Sequence, residues 1–272
     1  MSNTTLSLIN PHPRDLLIKF YQYGHRYEII TDKKSNYISV TTWVHSHFPK
    51  FDADEVIRNI FNGRNWGPNN KYWGMSAEQI KESWKKSGQS SCHYGTNLHE
   101  QIELFYNNIN GNEIMNPLKN SKEWEYFMNF VNDNLYLKPY RTEWMIFDED
   151  LKIAGSIDMV FENPDGTLSI YDWKRCKEIN RENNWGKYAS NFIISHISDT
   201  NYWHYSLQLN TYKAILERKY GKIVKELFLV RLFPEAENYE LIEVPILTEE
   251  INNLFEEKIQ LNLINVIKSI NI

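Results

Sequence analysis

Apolar and polar positions along the chain fall into blocks of helical or alternating period. Near the start, "RYEIITD" and "YISVTT" alternate like two short strands, and "DADEVIRNIF" has helical spacing behind Asp52 or Asp54 as a cap. "NGRNWGPNNKYWGMS" reads as a loop. Ser76 then caps "AEQIKESWKKSG", with Glu78 and Gln79 near the capping-box position. From Gly95 the pattern changes. Leu98, Ile102, Phe105 and Tyr106 recur at helical spacing in "GTNLHEQIELFYNN", and "SKEWEYFMNFVNDN" forms a second helix after a loop containing Pro117.

Three strands follow: "YRTEWMIFDED", "KIAGSIDMVFEN" and "TLSIYDWKR". Between the last two, "NPDGT" is a hairpin turn, because Pro164 presets its φ and Gly166 accepts a positive one. "NYWHYSLQLNTYKAILERKYG" is a long helix ended by Gly221, "KELFLVRLF" another strand, and the segment from Thr248, its expected cap, a closing amphipathic helix. The order predicts an α/β (α+β) fold, with a mixed central β-sheet flanked by helices. A mainly helical N-terminal extension over residues 1–90 is expected to pack on a core over residues 91–272.

Composition changes this picture little. Of the 272 residues 42% are hydrophobic, enough for a packed core, and length alone does not choose between one domain and two. No run approaches the roughly 20 apolar residues of a membrane helix, and the first residues lack a basic segment followed by an apolar one, so a soluble intracellular protein without a membrane partner is expected. Cys92 and Cys176 stand far apart with no CxxC partner, which suggests neither a disulfide framework nor a zinc knuckle. The net charge of −5 argues weakly against coating nucleic acid by charge alone, yet leaves room for an enzyme whose carboxylates hold metal ions.

Candidate chemistry sits in "LSIYDWKRCKEI". On a strand, Asp172 and Lys174 share one face while Tyr171 and Trp173 share the other. Across the hairpin, Asp158 is another carboxylate within an apolar strand. Burying isolated carboxylates costs several kcal/mol, so two on adjoining strands call for a cation or a wet cleft. Mg²⁺ meets that need with oxygen ligands and retained waters, and Lys174 beside it would orient or help deprotonate a water and offset charge on a phosphate. A lone D-x-K triplet more often marks an exposed face with an ordinary salt bridge. The carboxylate-bearing strand, tight hairpin and D-x-K together favour the site.

"GSIDMVF" followed by "LSIYDWK" resembles the core of the PD-(D/E)XK nuclease superfamily, whose fold is restriction-endonuclease-like. The flanks narrow the likeness to the exonuclease branch of the RecB and Cas4 nuclease domains and the mitochondrial genome maintenance exonuclease. "GTNLHEQIE" resembles the helix preceding that core, with Gly95, Thr96, His99 and Glu103. "QLNTY" resembles its Q-x-x-x-Y element, with Gln208 and Tyr212. The wording of "DWKR" and "DTNYWHYSLQLN" is also similar to members carried by large DNA viruses. The resemblance spans roughly residues 95–233. It implies His99, Asp158 and Asp172 as metal ligands, Lys174 as the catalytic lysine, and Gln208 and Tyr212 holding the scissile region, Lys174 or a water. Its cofactor would be one or two Mg²⁺ or Mn²⁺ ions. The position before x-K is often Glu in the superfamily and is Asp172 here, still an oxygen donor. The four cysteines of an iron–sulfur cluster are absent, so no such cofactor is expected.

Glu103 lies four residues from His99, hence on its helical face, and is expected to orient a ligand or a water. Glu143, on the strand before Asp158, is an outer acidic partner or an exposed carboxylate. Arg175, Lys177 and Arg181 are candidates to grip a phosphate backbone, although plain solvated charge is the usual explanation for such a run. Tyr205 is a candidate nucleic-acid contact. Trp73, with Trp66, Tyr72 and Trp84, would stack on unpaired bases or pack a small core. The function expected is a metal-dependent deoxyribonuclease, an exonuclease on single-stranded DNA or DNA ends in replication, recombination or repair. The alternative is an inactive nuclease-fold module that binds nucleic acid.

Overall fold

The computed structural model describes residues 5–108, 116–183 and 186–270. In chain order its elements are α1 (Thr5–Ile9), β1 (Ile18–Tyr21), β2 (Arg26–Ile29), β3 (Ile38–Ser39), α2 (Val40–His45), α3 (Ala53–Phe61), α4 (Ala77–Asn107) and α5 (Lys122–Asp133). There follow β4 (Lys138–Asp148), β5 (Ile153–Glu162), β6 (Leu168–Lys174), α6 (Asn201–Lys219), β7 (Val224–Arg231), β8 (Glu240–Glu243) and α7 (Thr248–Ile270). Most of the loop expected before α5 lies outside the described residues.

The predicted mixed sheet is present. β3 to β8 form six strands: β4, β5 and β6 run antiparallel in succession, β6 and β7 are parallel neighbours joined through α6, and β8 closes the edge. Helices α2, α6 and α7 cover one face over Val40, Trp43, Trp144, Ile170, Leu209 and Phe255. Helices α4 and α5 cover the other, where Leu98, Ile102, Phe127 and Phe130 meet Phe161, Tyr171 and Trp173. Tyr171 and Trp173 thus point away from Asp172 and Lys174, as the strand period requires.

Local signals explain the element ends. Asp52 accepts from the backbone N–H groups of Asp54 and Glu55 at 2.9 and 3.0 Å, and Ser76 with Gln79 closes a reciprocal capping box. In the hairpin turn Gly166 has φ +80°, its N–H donates to Asn163 O, and Asp165 accepts from Thr167.

Three features depart from the sequence pattern. "YISVTT" supplies only the two-residue β3, after which the Ser39 hydroxyl accepts from Thr42 N and starts a helix that buries Val40, Trp43 and Val44. The strand alternation was therefore the first turn of a helix spaced i, i+3, i+4. The two helices read on either side of residue 90 are one 31-residue helix, α4, whose middle, residues 85–94, is exposed all round and so carries no apolar period. The strand read in "RYEIITD" is present as β2, but β1 beside it was not expected; the two form a separate hairpin, and β3 pairs with β5. Among the described residues no helix is long and apolar enough to cross a membrane.

Candidate active site

β5 has two edges, and the site lies where one of them forks. β4 occupies the first edge from Glu162 to Ile153. The second edge is divided: β3 pairs with Ile153 and Ala154, β6 with Met159 to Glu162, and residues 155–158 between them have no strand partner there. Past the last rung, side chains satisfy the backbone of Trp173. Its N–H donates to Asp158 Oδ2 at 3.1 Å, and its carbonyl accepts from His99 Nε2 on α4 at 2.9 Å. Because a carbonyl only accepts, Nε2 carries a proton. The other ring nitrogen, Nδ1, then faces carboxylates: Asp158 Oδ2 at 3.5 Å and Glu143 Oε1 at 3.8 Å.

Glu143 is placed by the β4–β5 register, between Thr142 opposite Met159 and Trp144 opposite Ile157, so it stands across from Asp158. Its φ is +42°, a left-handed value costing a non-glycine residue about 1–3 kcal/mol that the flanking pairs must offset. Ser156 Oγ donates to Glu143 Oε2 at 2.9 Å and fixes the carboxylate. One ligand atom from each of His99, Glu143 and Asp158 lies within 4.8 Å of the others. Glu143 is thus drawn into the group, while Asp172 is not part of it.

Asp172 is 2% exposed, and Lys174 Nζ lies 2.5 Å from its Oδ2. The ammonium also sits 4.5 Å from the centre of the Tyr205 ring on α6. Further along the same helical face, Gln208 Nε2 donates to Tyr212 Oη at 3.2 Å. Tyr212 reaches the fork because Gly155 is a glycine: a Cβ there would lie 2.7 Å from Tyr212 Cε1 and 3.1 Å from Val40 Cγ2. Gly155→Ala is expected to push the tyrosine off β5 and destabilise the fold by about 1–3 kcal/mol, read by urea denaturation. An unchanged midpoint would show that the ring moves freely.

The electrostatics are those of a site short of positive charge. Burial raises the pKa of Asp158, with His99 opposing it and Glu143 reinforcing it. Burial also raises Asp172, with Lys174 opposing. For His99, burial lowers the pKa, but Asp158 and then Glu143 outweigh it and raise it to about 9. Burial depresses Lys174 less than Asp172 and Asp158 raise it, so it stays an ammonium. Glu103 is pushed up to about 7 by burial, then by Glu143 and Glu100. Three buried or half-buried carboxylates beside one imidazole suit a hard divalent cation, whose charge would relieve these shifts.

Two cavities meet at the fork. One, of about 430 Å³, is lined by His99, Asp158, Lys174, Tyr205, Gln208 and Tyr212. The other, of about 1420 Å³, holds Glu103 and Glu143, and His25, Tyr27, His99 and Ser156 line both. The remaining sequence candidates stand apart. Arg175 donates to Glu123 on α5 at 2.8 Å, Arg181 lies over the Tyr202 ring, and Lys177 is exposed. Trp73 is half-exposed and packs on Trp66, with ring centres 5.2 Å apart, while Trp84 Nε1 donates to the Tyr72 hydroxyl. Arg175, Lys177, Arg181 and Trp73 line neither cavity. Sequence reasoning missed Ser156, Gly155 and the hairpin residues His25 and Tyr27. Only "AGS" carried a signal, since a glycine among small residues inside a strand marks a close approach.

No protein-family model matches the chain, and no curated protein does. Among solved structures, a protein from Eubacterium rectale named "Putative exonuclease" is similar at 14% identity and a TM-score of 0.42, covering 85% of this chain and 80% of that one. A protein designated SSO0001 is similar at 17% identity and a TM-score of 0.34, covering 84% of this chain and 78% of that one. Likeness at this level carries no weight for function.

Proposed function

We propose that the chain is a divalent-metal-dependent nuclease that hydrolyses DNA phosphodiester bonds, and more narrowly an exonuclease acting on single strands or ends. What supports this reading is the convergence of His99, Glu143 and Asp158 at a break in the sheet, with the buried Asp172–Lys174 pair beside it. His99 and Asp158 would hold Mg²⁺ or Mn²⁺, with Glu143 from the same cluster and Asp172 from the adjoining strand completing the set. Bound there, the ion would act as a Lewis acid toward a phosphoryl oxygen and make a water more acidic.

The chain's own groups divide the remaining work. Asp172 keeps Lys174 protonated, so the lysine places a fixed positive charge where a phosphate gains negative charge, in a half-buried setting that strengthens the attraction. Gln208, held by Tyr212, has its amide oxygen available to orient a water. Tyr205 steadies the ammonium from below.

Incubating end-labelled linear DNA with the protein plus Mg²⁺, Mn²⁺ or EDTA is the direct test. Product that depends on the metal is expected, with a closed circular single strand surviving. Binding without product under all three conditions would turn the reading toward an inactive nucleic-acid-binding module, and a cut circle would remove the exonuclease part alone.

A further inference from the structure

The smaller cavity has a wall that this chemistry leaves unused. Beyond Lys174 its lining includes Thr41 and His45 from α2 and His204 from α6. His204 is fixed in place: its Nε2 donates to Asp199 Oδ1 at 2.9 Å, the Phe48 ring packs against it at 4.0 Å, and the His45 ring lies 5.1 Å away. Phe48 is buried and α2 packs on α6, so the cavity floor is closed behind the two imidazoles. The carboxylate of Asp199 accepts the hydrogen bond from Nε2–H, which leaves Nδ1 of His204 as the nitrogen still to be satisfied. Among the described residues that nitrogen, the His45 ring and the Thr41 hydroxyl have no hydrogen-bond partner. Asp158 is the single carboxylate on the lining, and Lys174 supplies a cation.

Such a wall distinguishes two kinds of phosphate. A phosphodiester offers only acceptor oxygens at neutral pH. A phosphomonoester has a second pKa near 6: as the monoanion it donates its remaining O–H to His204 Nδ1, and as the more highly charged dianion it accepts from Nδ1 once the ring has taken a proton from water. We infer that Thr41, His45 and His204 form a subsite for the terminal phosphate of a nucleic-acid strand, whose next phosphodiester would lie toward Lys174. The inference rests on the nuclease reading for the identity of the strand. It makes the substrate a phosphorylated end rather than an end of either chemistry.

The test is fluorescence anisotropy in EDTA, with the full chain and one oligodeoxynucleotide carrying a 5′-phosphate, a 3′-phosphate or hydroxyls at both ends. A phosphate at one end is expected to tighten binding about tenfold or more. His45→Ala, at an exposed position, and His204→Ala should each bring the phosphorylated and hydroxyl oligonucleotides to within about twofold, leaving hydroxyl-ended binding unchanged. Equal binding of all three by the parent, or a preference that survives both substitutions, would overturn the subsite. Cleavage with Mg²⁺ is read separately: failure to cut any of the three sinks the nuclease reading, while a phosphate preference in EDTA still upholds the subsite.

Discussion

Lys174→Met is expected to slow DNA cleavage by about 10³-fold or more, because Lys174 is the one lysine or arginine that lines the cavity and offers a charge to a phosphate there. It should also lower stability by about 3–5 kcal/mol, since Asp172 would be left buried and unpaired. Adding Asp172→Asn separates the two effects. The amide needs no counter-ion, so denaturant unfolding of the double variant should return toward the parental midpoint, while cleavage stays abolished. If activity recovered together with stability, the pair would be scaffolding only, and hydrolysis would draw on other groups.

The second large effect concerns Asp158. In the parent, Mn²⁺ at about a hundred times its Kd should raise stability by about 2.7 kcal/mol. Asp158→Asn is expected to remove that shift. Without metal the variant should stay within about 1–2 kcal/mol of the parent, because it discards a buried charge whose desolvation offsets its attraction to the protonated His99, keeps an oxygen for Trp173 N–H, and leaves Glu143 as counter-ion of the imidazolium. A metal-free loss of several kcal/mol would instead make Asp158 a structural partner of a charged His99. Differential scanning calorimetry with and without Mn²⁺ reads both numbers.

Much of the site was legible because it sits on periodic elements. Strand alternation placed Asp172 and Lys174 opposite Tyr171 and Trp173, and the "NPDGT" turn set β6 beside β5, which brings Asp158 near both. Helical spacing placed Gln208 and Tyr212 on one face. What the pattern did not carry was register and backbone exception. Glu143 looks like any strand carboxylate, and only the pairing with β5 and its left-handed φ turn it toward His99. The two-residue β3 pairs with β5 through two residues, too few for any period, yet it makes the fork in which Asp158 has no strand partner on that edge of β5. Nor did the pattern carry tertiary pairing: the basic run marked Arg175 as a candidate for a phosphate, and only the fold shows its ion pair with Glu123.

Anomalous diffraction from crystals soaked in Mn²⁺ tests the central claim most directly. A peak is expected within bonding distance of His99 Nδ1 and an Asp158 carboxylate oxygen, with Glu143 or Asp172 as a further ligand. Full Mn²⁺ occupancy elsewhere on the protein and none at the fork in β5 would contradict the account.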